Sequence, residues 1–337
     1  MHADEGATPF SDRRNDAGMI TLTNERLRLS IAPELGAGIA DFAIKGPTGF
    51  FFPLMRRAAP GETNASLLGS FFMAPWVNRI RGSRFVFRGK EHVLRPTTAD
   101  GLAQHGDVRK RVWRVIEQGA DRVALEFDSR SVTDSNWPWT YVCRTTYTLT
   151  NEAMTIELSV TNTDREAFPA GCGHHPYFAR RLWRDEDAIE LEAAVGGKYP
   201  LSGGCASGPA ASDPLTQHFA QMKPLPAQSL DAVFAGFDGT ATLRWPSSGV
   251  ALRIAASKEL SHLLVFAPHG AGDGAVSGAT GPLSFIAVEP QSQVNDAFNL
   301  ARSLGHEPGG PDDPTGTVVL EPGQTLRTLC VFTAVAG

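Results

Sequence analysis

Two imidazoles stand side by side in Gly171-Cys172-Gly173-His174-His175-Pro176-Tyr177-Phe178. A carboxylate, Glu289, follows the apolar run Ser284-Phe-Ile-Ala-Val288 and precedes Pro290. Imidazoles and buried carboxylates exchange protons near neutral pH, so these segments could supply acid–base chemistry. Pro176 pushes His175 toward extended backbone, where neighbouring side chains point to opposite faces. One of the two histidines can then readily enter a given pocket. Apolar flanks put the Glu289 carboxylate at or near buried surface, which raises its pKa into a range a general base can exploit. The alternative is an edge-strand carboxylate that reaches solvent. A third imidazole, His105, lies in Leu102-Ala-Gln-His105-Gly106, with glycines at 101 and 106. His105, His175 and a carboxylate could hold zinc or iron, but no HxH or HExxH spacing supports a metal, and none is expected.

Other polar groups sit in apolar surroundings. Asp231 interrupts Ser229-Leu230-Asp231-Ala-Val-Phe234, where it could cap a turn or bind a hydroxyl. Arg79, in Pro75-Trp76-Val77-Asn78-Arg79-Ile80, is a cation that must find partners. Trp137-Pro138-Trp139 offers aromatic faces suited to a sugar ring, or equally to a sandwich core. Gly270-Ala-Gly272-Asp-Gly274 superficially resembles a phosphate cradle, but Ser277-Gly278, Gly281 and Pro282 interrupt the helix such a loop needs.

The elements that must position these groups read as strands. Arg26 to Ile31 alternates strictly, and Arg84 to Leu94 reads as a hairpin around Gly89-Lys90. Val112–Ile116 with Val123–Phe127, and Tyr141–Thr150 with Met154–Asn162, repeat the form. Further strands are expected at Ala188–Ala193, Ala241–Trp245, Val250–Ala255, His262–Phe266, Ser284–Val288, Val318–Leu320 and Leu326–Thr333. Only Val294–Leu304 suits a short helix, and Gly196–Ser229, Pro268–Pro282 and Gly305–Gly316 read as loops. The expectation is an all-β chain, a large antiparallel β-sandwich with few short helices. Residues 1–18 should form a flexible N-terminal segment and residues 19–337 a single domain.

The chain has 337 residues and a formal net charge of -5, without runs of Lys or Arg, which argues against a nucleic-acid partner. Cys143, Cys172, Cys205 and Cys330 stand far apart, as in neither a zinc ribbon nor a disulfide scaffold. The polar N-terminal segment lacks the apolar stretch of a signal peptide, and no segment is apolar enough to span a bilayer. A cytoplasmic location with no membrane partner is the default expectation.

Taken together and in order, these segments resemble the aldose 1-epimerases, or galactose mutarotases, from about Ile20 to Thr333. Asn78-Arg79-Ile80 with Gly82 and Phe85 is similar to the family's Asn-Arg-Ile segment. His105-Gly106 resembles its Leu-His-Gly-Gly site, with Gln104 for the leucine and Asp107 for the second glycine. His175-Pro-Tyr177-Phe178 resembles its His-Ser/Thr-Tyr-Phe motif, which selects His175 over His174. Leu230-Asp231 and Val288-Glu289-Pro290-Gln291 match its substrate-binding and catalytic-glutamate segments.

The resemblance implies a mutarotase-like supersandwich that interconverts the anomers of a free aldose such as glucose or galactose. It implies Glu289 as base, protonated His175 as acid, and Asn78, Arg79, His105 and Asp231 as sugar-binding residues. A neighbouring carboxylate would hold His175 charged, and a cationic or hydrogen-bonding neighbour would keep Glu289 ionised. No cofactor is required, the partner is a small sugar, and the chain is a monomer or homodimer. The rivals are epimerisation of a hexose 6-phosphate, a carbohydrate-binding domain without catalysis, and glycoside hydrolysis by Asp231 and Glu289. A phosphate site would need clustered arginines, and alternation should scatter Arg79, Arg81 and Arg84.

Overall fold

The computed structural model describes residues 18–269 and 284–336. The expectations for residues 1–17 and for Gly270-Ala-Gly272-Asp-Gly274 lie outside the described residues. Alternation along Tyr141–Leu149 and Ala153–Asn162 buries every second side chain, and the two strands pair antiparallel across Asn151-Glu152. They lie within a nine-stranded sheet, where Thr325–Ala336 joins Ala153–Asn162 to Val250–Ala256. A seven-stranded sheet runs in the order Gly197–Lys198, Leu230–Ala235, His262–Ala267, Phe285–Gln291, Gly173–His174, Phe72–Met73, with Tyr177–Ala179 also paired to Phe285–Gln291. The two sheets face each other across an apolar core. The Phe178 ring lies 6.3 Å from Phe332, and Trp245 Nε1 donates to the Ala179 carbonyl at 2.9 Å. The result is the antiparallel β-sandwich that the alternation implies, with α-helices only at Pro214–Phe219 and Ala297–Ser303 among the described residues.

Departures from the sequence reading have local causes. Gly38–Lys45 is buried at every position but the last, so it shows no alternation by which to recognise it. The Pro214–Phe219 helix lies in a stretch read as loop. Asp213 caps it by accepting from Leu215 N at 2.9 Å, with Pro214 at the first helical position. At six residues it is too short to display an amphipathic face. The hairpin turn falls on Arg88-Gly89, one residue earlier than expected, because both residues adopt positive φ (48° and 76°). Trp137 and Trp139 belong to the core. Trp137 stacks 5.5 Å from Trp76 and 5.3 Å from Phe85, which removes the pair as a sugar platform.

Candidate active site

The outer face of the seven-stranded sheet floors a cleft of about 600 Å³, within the ~300–1,000 Å³ common for small-molecule sites. Along Phe285–Gln291, Ile286 and Val288 enter the sandwich core, so alternation turns Glu289 to the opposite face and into the cleft. Cross-strand register sets Leu264 beside Glu289, Phe266 beside Ala287 and Asp231 beside Phe266. Those side chains share the floor. Glu289 is 1% exposed, whereas Asp231 is exposed on its strand.

His175 reaches the same place through two short pairings on one strand: Gly173 lies opposite Gln291, and Tyr177 opposite Ala287. The expected division of the histidines holds. His174 packs edge-on against Phe72 inside the core, and His175 lines the cleft. Burial with no hydrogen-bond partner on either ring nitrogen lowers the His174 pKa to about 4.

The wall comes from two short strands that set Arg79 opposite Gln104. His105 N donates to the Asn78 carbonyl at 2.7 Å, and both residues hold left-handed backbone (φ 61° and 49°). Such conformations persist only where the surrounding structure enforces them. Gly106 must follow, since its φ is +70° and a Cβ there would come within 2.2 Å of the Ala74 carbonyl. The fold thus brings Asn78, Arg79, His105, His175, Asp231 and Glu289 around one cleft. Of the three arginines expected to scatter, Arg79 alone lines it. Arg81 pairs outside with Asp296 at 3.4 Å, and Arg84 with Glu91 at 3.7 Å.

Phe71, Ser66, Arg109, Tyr177, Leu264 and Phe266 also line the cleft, though sequence reasoning assigned them no role. Arg109 precedes exposed Lys110 and half-buried Arg111, and no local signal sets it apart from them.

His175 Nε2 lies 3.2 Å from Glu289 Oε1 and 3.5 Å from the Tyr177 hydroxyl. Burial first, then the cations Arg109, Arg56 and Arg79, holds the His175 pKa well below its ordinary 6.5. Burial first, then Asp231, holds Glu289 well above 4.5, against an opposing pull from Arg79. Both shifts run against the charge states expected from the sequence. The nearest carboxylate does touch His175, but burial and then the three cations disfavour the charged imidazole, while burial and then Asp231 disfavour an ionised Glu289. His105 is also held neutral, by burial and then Arg109, with its Nδ1 3.1 Å from Met73 Sδ. Glu289 Oε2 and His175 Nδ1 are buried without a protein hydrogen-bond partner. One proton shared by a base and an acid, with an unused carboxylate oxygen beside them, can move protons on and off a bound hydroxyl. Among the described residues, no group of three or more His, Cys, Asp or Glu side chains is placed to hold a metal ion.

The chain as a whole has known relatives. A family model described as aldose 1-epimerase matches residues 18–333. An uncharacterised Escherichia coli K12 protein, YphB, is 28% identical over 322 residues, covering 91% of this chain and 96% of that one. The crystal structure of a galactose mutarotase-like protein from Clostridium acetobutylicum superposes with a TM-score of 0.77 at 15% identity, covering 95% of each chain. A GalM/aldose epimerase homologue from C. elegans gives 0.76 at 19% identity, covering 95% of this chain and 99% of that one.

Proposed function

Because the chain belongs to the aldose 1-epimerase family, we propose that it interconverts the α and β anomers of an aldose by opening and reclosing the ring. The observation that carries this reading is the buried 3.2 Å contact between His175 and Glu289 on the cleft floor. Ring opening removes a proton from the C1 hydroxyl and delivers one to the ring oxygen, so a site holding one proton needs no net exchange with solvent. A sugar hydroxyl that donates a hydrogen bond to Glu289 Oε2, with Arg79 nearby, favours the carboxylate, and the pair's own proton then moves from Glu289 Oε1 to His175 Nε2. Glu289 then takes the C1 hydroxyl proton while His175 protonates the ring oxygen. The C1–O5 bond breaks and the C1 carbonyl forms. Rotation about C1–C2 presents the other face, and closure reverses both transfers. Asn78, Arg79, His105 and Asp231 hold the hydroxyls.

Polarimetry on freshly dissolved α-D-glucose and α-D-galactose tests this reading. The expected result is a faster approach to the same equilibrium rotation, unaffected by a chelator. No acceleration across hexoses, pentoses and C6-charged hexoses would overturn it.

The electrostatics set the pH profile. Activity needs one proton on the pair and is lost on the acid side when His175 takes up a second. That uptake is pushed well below the ordinary 6.5, so kcat/KM should stay level as pH falls through 6.5 and drop only well below it. An acid limb centred at or above 6.5 would show that neither burial nor the neighbouring cations hold the His175 pKa down.

A further inference from the structure

The proton transfers leave one charged group of the cleft unused. Arg109 is 7% exposed yet lines the cleft. Its Nη1 donates to Ser66 Oγ at 3.2 Å, and its Cζ lies 5.5 Å over the Phe71 ring. Among the described residues, no carboxylate lies within ion-pair distance of it. Neighbouring arginines are compensated. Arg111 pairs with Asp107 at 2.7 Å and Asp134 at 2.6 Å, and Arg56 donates to the Ser66 and Leu68 carbonyls at 2.7 Å each. An arginine stays charged even when buried, and burying it against a hydroxyl and a ring face alone costs free energy. Such a guanidinium fork suits an oxyanion, which it binds through two parallel hydrogen bonds.

The same Phe71 ring lies 4.5 Å from the His175 ring, which places Arg109 on the imidazole side of the acid–base pair. Arg109 bears on the titration of His175, whereas Asp231 bears on that of Glu289. If His175 serves the ring oxygen and Glu289 the C1 hydroxyl, the atoms reaching toward Arg109 are C5 and its substituent C6. We propose that Arg109, with Ser66, forms an anion subsite, and that the substrate is an aldose carrying an oxyanion on C6, a carboxylate or a phosphate. This rests on the anomer-exchange reading above.

The test measures anomer exchange by NMR magnetisation transfer with glucose, glucuronate and glucose 6-phosphate, using the full chain, Arg109→Gln and Arg109→Lys. The wild type should favour at least one charged sugar over glucose by about tenfold or more in kcat/KM, and which one it favours separates carboxylate from phosphate. R109Q should collapse that ratio by about tenfold or more, and R109K should keep part of it. A merely electrostatic influence on His175 would slow charged and neutral sugars alike and leave the ratio unchanged. An equal or greater preference for glucose, or an unchanged ratio in folded R109Q, overturns the proposal while anomer exchange stands. If no sugar is turned over, the anomer-exchange reading fails, and calorimetric titration with glucuronate and glucose 6-phosphate decides the subsite. Binding weakened about tenfold or more by R109Q supports it, and equal affinity overturns it.

Discussion

Replacing Glu289 with Gln is expected to lower kcat for anomer exchange by about 10²–10⁴-fold, the usual contribution of one positioned acid or base. The amide matches the carboxylate in shape and can still meet His175 Nε2, but it cannot accept a proton from the C1 hydroxyl. Glu289 is 1% exposed, so no bulk water stands ready to replace it. Burial disfavours an ionised carboxyl at this position, so a neutral amide of the same shape is mild for folding. His175→Asn should lose activity over the same range, since it removes the imidazole, 3.2 Å from Glu289 Oε1, that hands the proton to the ring oxygen. The two residues handle one proton, so their losses should not add. The double variant should fall within about tenfold of the weaker single variant. Stopped polarimetry on variants with unchanged thermal melts measures all three. A loss below about tenfold in either single variant would remove that residue from the acid–base pair.

Stability should fall by about 3 kcal/mol between pH 7 and pH 5.5. Four buried histidines outside the acid–base pair resist protonation in the folded chain, His92 among them through burial and then Lys90. Burial takes His174 and His262 to about 4 and His105 well below 6.5. Unfolded, each titrates near 6.5, so as pH falls below that value the unfolded chain binds protons that the folded chain refuses. Protonation then favours unfolding, and the stability present above 6.5 is lost as pH drops toward 4. The His175–Glu289 pair works weakly the other way. Burial raises the Glu289 pKa, so as pH falls the folded chain takes up that proton before the unfolded chain does. Urea midpoints at the two pH values, with an unchanged slope, measure the difference. His174→Phe should remove about 1 kcal/mol of the change, because its ring makes no hydrogen bond that phenylalanine would forfeit. A total change below about 1 kcal/mol would mean that these imidazoles are charged in the folded state.

Much of the site was legible because its determinants are local. Period-two alternation makes strands wherever one face is buried and the other is not, as along Tyr141–Leu149. The same geometry, with Pro176, divides His174 from His175, and apolar flanks mark Glu289 as buried without any knowledge of what covers it. Where both faces are covered, as at Gly38–Lys45, alternation vanishes and with it the signal.

Charge states were decided only by the assembled chain. Arg56, Arg79, Arg109 and Asp231 stand far from His175 and Glu289 in sequence, and each acts on one of them or on both in the fold. Nothing around Arg109 distinguishes it from Lys110, yet one of the two is buried in the cleft wall and the other faces solvent. Side-chain direction follows from a residue and its immediate neighbours, so the sequence suffices for it. Proton affinity depends on every charge within several ångströms and on the dielectric around it, and those exist only once distant strands have packed.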